Sequence, residues 1–81
     1  MLNDTQKTQI ENLAAETAQQ FVDEFNEPLD SSTTDWDAVA WGEDMRKLSF
    51  REELKADSDL YNEAWDLYRE TLEAKTAELC E

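Results

Sequence analysis

Histidine is absent from this chain. With it go the commonest general base and the commonest metal ligand, and the serines have no imidazole to activate them. There is one glycine, Gly42, so no glycine-rich loop can cradle a phosphate. There is one cysteine, Cys80, which can form neither an intrachain disulfide nor a cysteine-based zinc site and reads as an inert thiol. "DSDLYNE" starts like a calcium loop but has Tyr61 at the fifth position and no glycine at the sixth. These absences predict no catalytic residue, no cofactor and no metal, and therefore a protein that is not an enzyme.

Long apolar runs and basic clusters are missing too. "MLNDTQKTQIENLAAE" is neither a secretory signal nor a transmembrane segment. No polybasic tract or lipidation motif points to a membrane, and the expectation is a cytoplasmic protein. Bases are scarce: 7 Lys and Arg face 21 Asp and Glu, a net charge of −14. The excess is spread evenly, at −4 over residues 1–26, −4 over 27–49 and −6 over 50–81, so no acidic tail accounts for it.

What is present is a small core and helical spacing. Three tryptophans, three phenylalanines and two tyrosines, within a chain 40% hydrophobic, argue against disorder. Eighty-one residues predict one domain, 1–81, burying about 60–65% of the surface of its unfolded chain.

Placed at about 100° per residue, Ile10, Leu13, Ala14, Thr17, Ala18, Phe21, Val22 and Phe25 share one side of a helix over 4–26, with Asn3 or Asp4 as its cap. The loop 26–34 follows, with the only proline, Pro28. A second helix is predicted over 35–47, capped by Thr34, with Trp36, Val39 and Ala40 on one side and Trp41, Met45 and Leu48 extending it. Inside it, Gly42 marks a kink or a point where Trp41 needs room. Ser49 and Glu52 match a capping box for a short helix over 50–56. Asp57 or Ser58 then caps a last helix over 59–79. No segment alternates as a strand does. The predicted fold is an all-α bundle of three main helices plus one short one, with Trp65, Tyr68, Leu72, Phe21 and Phe25 in a common core.

The last helix carries a second pattern. Asp59, Glu63, Asp66, Glu70 and Glu73 form a straight acidic stripe opposite Leu60, Tyr61, Ala64, Trp65, Leu67, Tyr68, Thr71, Leu72 and Leu79. Like charges at this spacing repel by a few tenths of a kcal/mol per pair. The stripe spans about 21 Å with one charge per ~5 Å, sparser than the ~3.4 Å of a DNA strand. Copying a strand therefore needs acids from neighbouring elements. The candidates are Asp35, Asp37, Glu43 and Asp44, with Glu52, Glu53 and Asp57 behind them, and Trp41 is a candidate exposed anchor.

A protein negative throughout is repelled by nucleic acid and anionic membrane and attracted to basic surfaces, the most strongly basic being those that hold DNA or RNA. The expected partner is thus a basic nucleic-acid-binding protein or nuclease complex. In size, charge and helicity the chain is similar to the small acidic inhibitors of phages and other mobile elements, namely anti-restriction and anti-CRISPR proteins and DNA mimics. It is similar in the same way to acidic helical immunity proteins against nuclease toxins. That likeness implies stoichiometric inhibition and carries over no functional residue. Two other readings stand beside it: a structural or adaptor subunit that joins a complex through an apolar helix face, and a general adaptation to high salt.

Overall fold

A computed structural model describes the backbone of residues 1–29 and 34–80, and the side chains of the same residues except 34–37. It is all-α among the described residues, with α1 Asp4–Phe25, α2 Thr34–Met45, α3 Arg51–Ala56 and α4 Ser58–Leu79.

α1 starts where Asn3 accepts the Gln6 N–H at 2.8 Å and the Gln6 side chain accepts the Asn3 N–H at 3.0 Å, a reciprocal cap. It ends at Asn26, whose φ of 52° is left-handed, a conformation asparagine tolerates better than most residues. α4 starts at Asp57, whose carboxylate accepts the N–H groups of Asp59 and Leu60 at 3.1 and 3.2 Å.

These two long helices form the main interface. α1 contributes Ile10, Ala14, Ala18 and Val22 at strict four-residue spacing, with Thr17 and Phe21 beside them. α4 answers with Leu60, Ala64, Tyr68, Leu72 and Thr76, also every fourth residue. Small residues in both rows let the backbones approach, and the fully buried Phe21, Tyr68 and Leu72 fill the centre. The helices are parallel: Leu2, just before α1, donates its N–H to Glu63 at 3.1 Å, and Leu29, just beyond it, donates to Thr76 Oγ1 at 2.9 Å. Between them the chain returns along α1, bringing Asp44 to Thr17, Ser49 to Gln9 and Glu53 to Gln6. The molecule measures 37 × 23 × 17 Å.

Several expectations change. α2 ends at Met45 because the next three N–H groups, of Arg46, Lys47 and Leu48, bond to carbonyls three residues back, at 3.0–3.3 Å. It runs unbroken through Gly42, and a Cβ there would meet no atom, so Trp41 does not need the room. The capping box at Ser49 does not form. The cap of α3 is Phe50, and Ser49 is held by the Gln9 side-chain amide, which accepts its N–H at 2.8 Å and donates to its Oγ at 3.2 Å. Glu52 lies instead near Arg51 and Lys55.

Of the five residues expected to share a core, Phe21, Tyr68 and Leu72 are buried and Trp65 packs half-buried against them. Phe25, in the last turn of α1, is 44% exposed, with its ring 4.8 Å from Phe21. Val39 is 64% exposed and Leu79 41%. Thr34, expected as the cap of α2, is instead its first helical residue. Its side chain and that of Trp36 lie outside the described residues, as does part of the 26–34 loop.

Candidate functional site

The acidic stripe lies on the outward face of α4, opposite the buried row. Its five carboxylates are not equivalent. Glu63 accepts the Leu2 N–H and so holds the N-terminus. Glu73 lies 3.4 Å from Arg69 Nε, one helical turn earlier. Asp59, Asp66 and Glu70 are exposed, and their carboxylates make no ion pair or hydrogen bond among the described residues. The stripe thus offers three carboxylates without a bonded partner among the described residues, and two that have one.

The other candidate acids whose side chains are described do not extend it. Asp44, expected on the surface, is 5% exposed. Its Oδ2 accepts from Thr17 Oγ1 and, at 2.7 Å, from the Tyr68 hydroxyl; its Oδ1 lies 3.6 Å from Lys47 Nζ. One carboxylate therefore joins α1, α2 and α4. A buried charge needs such partners, because leaving water without them costs several kcal/mol. Glu43 is exposed, but it lines a groove of about 260 Å³ between α1 and α2 with Thr17, Gln20 and Val39. α1 and α2 both pack on the buried side of α4, so this groove is across the bundle from the stripe. Glu53 accepts from Gln6 at 3.3 Å, and Asp57 is occupied as the α4 cap. The side chains of Asp35 and Asp37 lie outside the described residues.

Trp41, expected as an exposed anchor, is 5% exposed. Its ring sits 4.9 Å from Tyr68, 5.5 Å from Trp65 and 5.9 Å from Tyr61, and its indole N–H donates to the Tyr61 hydroxyl at 3.0 Å. With Asp44 it fastens α2 to α4, and its burial leaves it too little exposed surface to serve as an anchor. No group of three or more Cys, Asp or Glu side chains is placed to hold a metal ion among the described residues. No helix there is long and apolar enough to cross a membrane.

Sequence reasoning missed Thr76 and the Gln9–Ser49 clasp. Thr76 continues the four-residue spacing from Leu60, and that spacing was the available signal. The clasp has no local signal, since its two residues are forty positions apart. No protein-family model, curated protein or solved structure matches this chain.

Proposed function

We propose that this is a non-enzymatic acidic binding protein, which docks the outward face of α4 on a basic, nucleic-acid-binding surface of a partner protein and blocks it stoichiometrically. The observation that carries this reading is the trio Asp59, Asp66 and Glu70: three exposed carboxylates without partners among the described residues, on a helix of 22 residues anchored by its opposite side. Such a helix presents its charges without reorganisation, which favours fast association with a positive surface. The five-carboxylate row is shorter and sparser than a nucleic-acid strand. The mimicry is accordingly of a local cluster of phosphates, in the manner of the anti-restriction and anti-CRISPR inhibitors of mobile elements.

The test replaces Asp59, Asp66 and Glu70 together by Asn, Asn and Gln. Circular dichroism should be unchanged and the melting temperature should change little, because the relief of like-charge repulsion is set against the loss of the Asp59 charge from the first turn of α4. Immobilised wild-type protein should retain from a lysate a nucleic-acid-binding protein that added duplex DNA displaces, and the triple variant should not. Retention by the variant, or a retained partner indifferent to DNA and salt, would transfer the chain to the adaptor reading.

A further inference from the structure

Two residues stand out as unexplained by the fold, and they line the same groove. Gly42 sits exposed inside α2, where glycine weakens a helix relative to alanine, yet no neighbouring atom requires its bare backbone. Arg46 follows one turn later. In a chain where acids outnumber bases three to one, its guanidinium, like the Lys7 ammonium, makes no ion pair among the described residues. The groove between the end of α2 and α3, about 470 Å³, is lined by Gly42, Met45, Arg46, Arg51, Glu52 and Lys55. Three cations against one carboxylate leave its lining at +2. Arg51 is fixed across it by donating from Nη1 to the Arg46 carbonyl at 2.7 Å. Glu52 lies 3.9 Å from Arg51 and 3.7 Å from Lys55, and all three side chains are more than half exposed, so a better-placed anion can displace it.

We infer that this groove is a second contact site, which receives from a protein partner a segment bearing two adjacent carboxylates. The bare backbone at Gly42 admits the segment, Met45 covers the aliphatic stems of its acidic side chains, and Arg46, Arg51 and Lys55 take the carboxylates. The volume suits a short peptide, being far larger than one oxyanion requires. A nucleic acid, with charge along its whole length, is opposed by the rest of the molecule. So is a second copy: residues 46–55 carry Arg46, Lys47, Arg51 and Lys55 against Glu52 and Glu53, or +2, which leaves −16 elsewhere in a chain of −14. This inference rests on the proposed reading that the partner is a protein, and it adds orientation. Lys55 lies four residues before Asp59, so the groove and the start of the stripe share one end of the bundle. A partner with acidic residues beside its basic surface would then be held in one direction only.

The test needs no partner, so its failure is distinct from failure of the α4 experiment. The isotope-labelled full chain is titrated, with amide shifts followed by NMR, against a capped glycine–serine octapeptide carrying two adjacent glutamates. The same peptide with glutamines, inorganic phosphate and a short DNA duplex form the other arms, and a dilution series of the protein alone reports self-association. The expected result is saturable shifts over Gly42–Lys55 with the glutamate peptide alone. Arg46→Gln and Lys55→Gln should each weaken binding up to about fivefold, the upper range for one exposed ion pair. Gly42→Ala should raise the melting temperature yet weaken the peptide. No saturable shift, an equal response to the glutamine peptide, a tighter response to phosphate or duplex, shifts on dilution alone, or undiminished binding by all three variants would overturn the inference.

Discussion

Asp44 shows how much one residue's role depends on its surroundings. It takes hydrogen bonds from Thr17 and Tyr68 and sits near Lys47, closing the space between α1, α2 and α4. Asp44→Ala should cost about 2–4 kcal/mol, since it removes the carboxylate to which two buried hydroxyls donate. Asp44→Asn, which keeps an acceptor oxygen, should cost less, and denaturant unfolding of the two variants checks the order. Leu72 and Phe25 make a second contrast. Both lie on apolar arcs, but Leu72 is fully buried and Phe25 is not. Leu72→Ala should lose about 2–5 kcal/mol, whereas Phe25→Ala should lose roughly 1 kcal/mol, in line with partial burial. Equal losses would mean that the end of α1 is packed as tightly as its middle.

Among the elements, α1 and α4 are specified by their own sequences and α2 and α3 by their neighbours. The long helices have side-chain caps and an unbroken four-residue row of buried side chains. Asn3→Ala should therefore destabilise the protein by about 0.5–2 kcal/mol. α3, six residues long with no side-chain cap bond, is too short to persist alone. Leu54 anchors it from within, and the Gln9–Ser49 clasp holds the turn ahead of it. In α2, Gly42→Ala should stabilise the fold by about 0.5–1 kcal/mol, because alanine is the better helix former and the added methyl meets nothing. A fall in melting temperature would show that the bare backbone serves the fold after all.

For the whole molecule, the parallel pairing of α1 and α4 makes α2 and α3 a crossover, which Trp41 and Leu54 bury against the core and which polar contacts join to α1 at Thr17, Gln9 and Gln6. Charge acts at this scale too. The ion pairs among the described residues are nearly all between exposed groups a few positions apart, worth about 0–1 kcal/mol each. They do not offset a net charge of −14. The melting temperature should therefore be higher at 0.2 M NaCl than at 0.01 M, as screening shortens the Debye length to about 10 Å at 0.1 M. A flat response would mean that the charges already offset one another within the fold. Folding only in molar salt would favour the high-salt reading.

The helices, their number and most of their ends were legible in the sequence, because capping, proline and four-residue spacing are local and act along one segment. So was the acidic stripe, whose placement opposite the apolar arc of α4 follows from helical geometry alone. Tertiary structure alone decided which arc of each helix a neighbour covers. In α2 apolar residues occupy most of the circumference, so spacing could not separate Trp41, which turns inward onto Tyr61, Trp65 and Tyr68, from Val39, which faces water. Nor could it show that Asp44 would be drawn inside, while Asp66 and Glu70 would stay out. The partners that draw Asp44 in are 27 and 24 residues away, and such hydrogen bonds form only once α1, α2 and α4 have been brought together.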